Sequence, residues 1–292
     1  MLSQNNFTFE DYLFWNKISA SLMFPIYVFA MLGNCIIVAA TIKSSQLRAT
    51  CSIIIAIQAA CEAIYPISAF MFMFFALTEQ LHTYQECYWI QFVPLAAANI
   101  AMNMMPMVAL DRCLSFGAPL WYRRKNAKLY ICCLLTFPVA YDIFLKVLGY
   151  QYANEELVVC VIPTGLAGVA ARVWSYTQGP VAVSVLVLYV AIRIYTKSVH
   201  IQSMIIINLN KSLQKIMFVY LCGYTVVAAV NFLGVLFSTN PYVINTLSSL
   251  SGIFAAINAA SPVVILYLQS DMYRKEIDAL IKKRPVAVFS TT

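Results

Sequence analysis

Residues 87–122 read CYWIQFVPLAAANIAMNMMPMVALDRCLSFGAPLWY. From Cys87 to Ala109 no side chain carries a formal charge, a length that matches the ~20 residues a helix needs to cross the hydrocarbon core of a bilayer. Asp111 and Arg112 then stand side by side. Charged groups are costly in a membrane and are tolerated where a helix meets water or a partner, so this pair is expected to mark the point where the helix leaves the lipid. Six residues separate Arg112 from Pro119-Leu120, and Tyr122 follows.

Composition extends that reading to the whole chain of 292 residues, which is 62% hydrophobic and 11% charged, with a mean hydropathy of +0.77. Soluble domains carry roughly 25% charged residues. So few charges could not cover a soluble surface, and a polytopic membrane protein is expected. The net charge of +7 does not signal nucleic acid, because the basic residues lie in short clusters between apolar runs, where they orient spans. The nine cysteines include no CxxC pair, and six or seven fall within apolar runs as small buried hydrophobes. With no metal-ligand spacing, phosphate loop or nucleophile-base set, neither an enzyme nor a cofactor is expected.

Apolar runs at about 18–42, 51–77, 88–110, 128–149, 174–196, 213–237 and 244–268 predict seven spans in one domain over 18–268. Residues 1–17 form a short polar N-terminus without the basic start and cleavage site of a signal peptide. Loops 43–50, 111–127 and 197–212 carry Lys43, Arg48, Arg112, Arg123, Arg124, Lys125, Lys197 and Lys211 against the single acid Asp111. The N-terminus and the alternate loops 78–87, 150–173 and 238–243 carry Glu10, Asp11, Glu79, Glu86, Glu155 and Glu156 against Lys17 and Arg172. Lys and Arg are retained on the cytoplasmic side. The N-terminus is therefore expected outside, where the Asn6 sequon can be glycosylated, and the C-terminus inside. A basic amphipathic helix over 269–285, with Met272, Ile277, Leu280 and Ile281 near one face and Pro285 ending it, is expected to lie on anionic membrane lipids. A tail, 286–292, follows.

Three further features put polar groups at membrane depth: Gly33-Asn34 in the first run, Glu62 in the second, and Asp142 with Lys146 in the fourth. An unsatisfied polar group in lipid costs several kcal/mol, roughly, so Asn34 and Glu62 are expected to face each other and water inside a bundle. A structural contact and a proton- or cation-coupling site both remain open. Asp142 and Lys146 are spaced to pair within one helix.

Asp111-Arg112-Cys113, with Pro119-Leu120 and Tyr122 beyond the gap, resembles the end of the third helix and the second intracellular loop of rhodopsin-like G-protein-coupled receptors. Gly33-Asn34, followed twenty-eight residues later by Glu62 where that family usually has Asp, is similar to its first two helices. Ser261-Pro262 with Tyr267 resembles a degraded seventh-helix motif, and Pro180 matches the family proline of the fifth helix. The sixth run lacks the family's Cys-Trp-x-Pro; Cys222-Gly223-Tyr224 stands nearest it. With Tyr273-Arg274 after the last run, the closest likeness is to the nematode serpentine chemosensory receptors of the Srsx class.

The resemblance implies an all-α bundle of seven transmembrane helices in the plasma membrane, with a Cys87–Cys160 disulfide pinning loop 150–173 over its mouth. It implies that Asp111 holds Arg112 at rest, and that Arg112, Pro119, Leu120 and Tyr122 meet a heterotrimeric G protein, with Leu120 inserting into it. Asn34, Glu62, Pro180, Tyr224, Ser261, Pro262 and Tyr267 would form the polar core that switches. Gln91, Pro94, Leu95, Ala98, Asn99, Arg172, Tyr176, Tyr224, Asn231 and Ser251 would line a ligand pocket. Pro94, standing where amine receptors carry an aspartate, points to a small neutral or weakly acidic molecule. The competing readings are a peptide or neuromodulator receptor of the same fold, and a transporter or channel. The inverted repeats of transporters are not visible in the sequence.

Overall fold

The computed structural model describes residues 7–198, 204–238 and 240–281. Asn6, Pro285 and the tail 286–292 lie outside the described residues. The first helix, α1 (Phe9–Lys43), starts at a capping box in which Thr8 accepts from the Asp11 amide and Asp11 accepts from the Thr8 amide. Helical structure therefore begins nine residues before the apolar run expected at 18, because the local cap, not hydropathy, sets the start.

The second run is broken in two, α2 (Thr50–Ile64) and α3 (Ile67–Thr78). Proline has no amide hydrogen and its ring crowds the preceding turn; Pro66 sits at the break. A short α4 (Tyr84–Ile90), capped by Thr83 and Glu86, precedes α5 (Phe92–Gly117). The third run, read as one span from 88 to 110, is thus interrupted at Gln91 and continues to Gly117. Helix α6 (Pro119–Arg124) leads to α7 (Ala127–Tyr152), whose start is capped by Asn126. The remaining helices are α8 (Gly168–Ser198), α9 (Met204–Phe237), α10 (Pro241–Gln269) and α11 (Asp271–Ile281).

Seven of these segments, with α2 and α3 counted as one, are long and apolar enough to cross a membrane. Two short strands, β1 (His82–Thr83) and β2 (Leu157–Val158), pair antiparallel with His82 opposite Val158. They join the α3–α4 link to the α7–α8 loop, which the Cys87–Cys160 disulfide ties to α4. At that end of the bundle, Tyr12, Met23, Tyr27, Tyr65, Phe72 and Val159 form one buried cluster. Around the opposite end Ile37, Ile54, Met104, Val108, Met217 and Tyr273 form the other. The outward faces are apolar, with Leu32, Phe74, Leu129, Val187 and Phe232 all exposed, as a lipid-facing surface requires and a water-facing one avoids.

Helices α1 and α10 approach closely at Gly33, where a Cβ would collide with the Val263 side chain. On α11 the packed face is Tyr273 and Ile277, supported by Met272 and Leu280, whereas Ile281 points outward. Ile281 thus departs from Met272, Ile277 and Leu280, with which the sequence groups it on one face. Tyr273, absent from that grouping, is wholly buried instead.

Candidate functional site

Asp111-Arg112, the pair expected where the third span leaves the lipid, lies inside α5 and not at its end. The helix runs five residues past Arg112, and Asp111 is fully buried with Arg112 9% exposed. Asp111 Oδ2 accepts from Arg112 Nε at 3.0 Å and from its Nη2. The Tyr122 hydroxyl donates to Asp111 Oδ1 at 2.7 Å and accepts from Arg112 Nη2 at 3.2 Å. Pro119, at the first position of α6, starts the turn that brings Tyr122 back over α5. Burial, then the nearby Asp111 carboxylate, push the Tyr122 phenol well above its ordinary value. The charged pair is tolerated inside protein because each member has several partners. Leu120, on the same short helix, is 75% exposed.

The cluster holds one member that sequence reasoning treated as loop charge. Lys125 Nζ lies 3.7 Å from Asp111 Oδ1, 3.3 Å from the Tyr122 ring centroid and 3.1 Å from that of Tyr130. Burial pushes its ammonium down to about 8, against the pull of Asp111.

A second polar group occupies the middle of the bundle. Asn34 donates to the Ala30 and Ala259 carbonyls, each at 2.9 Å, tying α1 to α10. Glu62 accepts from Gln58 Nε2 at 2.9 Å and from the Tyr220 hydroxyl on α9. Asn34 Oδ1 and Glu62 Oε2 have no partner, and both residues line one cavity of about 20 Å³ with Gln58, Met105 and Pro262. That volume is room for a single water. Ser261 bonds back to the Asn258 carbonyl at 2.9 Å. Asn258, overlooked in the sequence, is buried against Gly223 with both amide atoms unpartnered. Two residues expected in this group stand apart. Tyr267 donates to Asp278 on α11 at 3.1 Å, and Pro180 is exposed within a continuous α8.

The ten residues expected to line a ligand pocket do not converge. Gln91 is buried beneath Gly165 with Nε2 3.7 Å from Cys160 Sγ, and Leu95 packs on Leu166 and Ala170. Pro94 is buried within α5, and Ala98 packs into the cluster around Tyr27 and Val159. Asn99 is consumed by a network, donating to Asp142 Oδ1 at 2.9 Å and accepting from Trp174 Nε1 at 3.0 Å. Asp142 and Lys146 do approach, at 3.8 Å, but the lysine donates to the Phe92 carbonyl at 2.7 Å. Arg172 and Tyr176 are exposed, Tyr176 at 76%. Asn231 and Ser251 bond within their own helices, to Val227 and Ser248. Tyr224 borders a cavity of about 20 Å³ lined by Met102, Met105, Gln178, Val181, Tyr220 and Tyr224 between α5, α8 and α9.

Val159 is buried with its amide donating to the Tyr12 hydroxyl at 3.4 Å. Tyr12 also packs on Phe9 and Tyr242, and Asn240 donates to the Phe7 carbonyl at 3.2 Å.

No curated protein matches this chain. Residues 27–281 match the family described as serpentine type 7TM GPCR chemoreceptor Srsx, a stretch that starts within the first crossing and takes in the other six, the Asp111 cluster and α11. The chain belongs to the Srsx family of serpentine seven-transmembrane G-protein-coupled chemoreceptors.

Proposed function

We propose that this receptor sits in the plasma membrane with its N-terminus outside, binds a small molecule within the bundle, and activates a heterotrimeric G protein through Arg112. The observation that carries the reading is the Asp111 cluster. A buried guanidinium is held by one carboxylate next to a short helix that projects Leu120, 75% exposed. Release of Arg112 exposes a fork of five donors to the partner, and Leu120 supplies an apolar contact beside it. Two arrangements of Arg112, biased by a ligand elsewhere, make the two-state element that allostery requires. The Lys and Arg bias of the loops supports a cytoplasmic position for this end and an outside position for the Asn6 sequon. Helix α11 then rests on the inner leaflet.

A small ligand is favoured over a peptide because Val159 and Tyr12 are packed together and buried beneath the loop at the disulfide end. The apolar lining of the cavity at Met102, Met105, Gln178 and Tyr224 favours a neutral or weakly acidic molecule, and the cavity must enlarge to admit one. The test is guanine-nucleotide exchange on a panel of Gα subunits by the receptor in lipid nanodiscs, over a library of volatile and water-soluble compounds, with Arg112→Ala alongside. Ligand-dependent exchange lost in the variant is expected. Exchange that survives Arg112→Ala would overturn the role of that residue.

A further inference from the structure

Lys125 has no part in the coupling scheme above, yet its placement is unlike that of its neighbours. Arg123 and Arg124 are exposed, while the Lys125 side chain is 5% exposed. Its ammonium lies between the Tyr122 and Tyr130 rings, 3.3 and 3.1 Å from their centroids. It makes no hydrogen bond. Ring faces attract a cation, but they replace water's hydrogen bonds incompletely, and an ammonium buried in this way is held at a cost. The downward push on its pKa, to about 8, has the same origin. In the observed arrangement Asp111 hardly needs it, since Arg112 already donates through Nε and Nη2.

The need changes if Arg112 leaves. A buried carboxylate stripped of its cation is heavily penalised, and Tyr122, Tyr130 and Cys51 beside it offer neutral donors in place of a charge. Lys125 stands 3.7 Å from Asp111 Oδ1, within ~1 Å of hydrogen-bond range, on the side of the carboxylate opposite to that taken by Arg112 Nε. The geometry points to Lys125 as the standby counter-ion of Asp111, redundant while Arg112 is in place and the cation that keeps the carboxylate paired once Arg112 turns away. The role rests on the coupling reading, in which Arg112 moves. Lys125 acts through Asp111 and is a positioning residue that lowers the barrier to releasing Arg112.

Substituting Arg112 mimics its departure without a G protein. Thermal unfolding in nanodiscs at neutral pH is compared for wild type, Lys125→Met, Arg112→Leu and the double variant. Lys125→Met alone is expected to leave Tm within about 1 °C of wild type or raise it, whereas in the Arg112→Leu background it lowers Tm by roughly 5 °C beyond the sum of the single effects. Adding Asp111→Asn removes that excess loss, because a neutral amide needs no counter-ion. Lys125→Arg in the Arg112→Leu background retains the Tm of Arg112→Leu, which a role in packing alone would not produce. A double variant that fails to fold is read by the same rescue: recovery on adding Asp111→Asn supports the assignment, and no recovery overturns it. Additive Tm shifts also overturn it. Since no G protein enters this assay, additivity would leave the coupling reading standing, and failure of coupling shows instead in the exchange assay.

Discussion

Asp111 and Glu62 are both acids buried in the bundle, at 0% and 2% exposure, and the chain surrounds them by opposite means. Asp111 has two cations and a phenol, all supplied from within fourteen residues downstream by α5, α6 and the turn after it. Glu62 has neutral partners, Gln58 one turn away and Tyr220 from 158 residues on; among the described residues no ion pair reaches it. The first arrangement cancels charge with charge and can be rearranged locally by swapping cations. The second ties span two to span six across the core and depends on those helices staying together. A signalling device needs both kinds of element: a local latch whose members can trade places, and a long-range tie that reports whether the bundle has moved.

The sharpest way to break this contrast is to neutralise each acid without changing its size. Asp111→Asn leaves Arg112 and Lys125 facing an amide and is expected to cost about 3 kcal/mol, in line with breaking a buried pair, read as a drop in Tm in nanodiscs. Tyr122→Phe, which removes a charge-assisted hydrogen bond at 2.7 Å, should cost about 2 kcal/mol in the same measurement. A smaller effect sharpens the electrostatic side. Because Lys125 titrates near 8 when folded against 10.5 when free, the unfolded chain binds more protons above pH 8, so stability rises with pH there. The gain between about pH 8 and about pH 9 is on the order of 1 kcal/mol, and Lys125→Met should abolish it. Asp111, Arg112, Cys51, Tyr122 and Tyr130 face that ammonium, so the readout is the difference between the two chains and not the raw slope. Least of all, Glu62→Gln should change Tm by under about 1 kcal/mol equivalent, since an amide can accept from Tyr220 as the acid does. A loss from Glu62→Gln equal to that from Asp111→Asn would erase the distinction.

Much of this was legible in the sequence, for identifiable reasons. Seven crossings follow from apolar runs that no soluble fold could cover, and the Asp111–Arg112 pair with Tyr122 from a spacing that survives intact. The Cys87–Cys160 bridge expected from the family likeness is present. Hydropathy does not see backbone breaks, so the interruption at Gln91 went unread; the one after Tyr65 had its signal in Pro66. Lys125 read as loop charge because nothing in its immediate sequence shows that α6 folds Tyr122 back and that Tyr130 rises beside it. The residues expected to line a pocket do not converge because of helix phase. Tyr176 sits on the outward face of α8, and Asn99 had partners, Asp142 and Trp174, whose identity only the packing of α5, α7 and α8 reveals. Tyr220 and Asn258 were missed because a buried tyrosine or asparagine in an apolar run looks the same whether it packs or tethers.

The most direct test of the account is ligand-free guanine-nucleotide exchange by the receptor in nanodiscs, measured for wild type, Asp111→Asn and Asp111→Asn/Arg112→Ala on the same Gα panel. If Asp111 holds Arg112 in reserve, Asp111→Asn raises exchange about tenfold, the equivalent of about 1.4 kcal/mol in the balance of the two states, and the second substitution returns it to background. Exchange that is unchanged by Asp111→Asn, or that persists without Arg112, would contradict it.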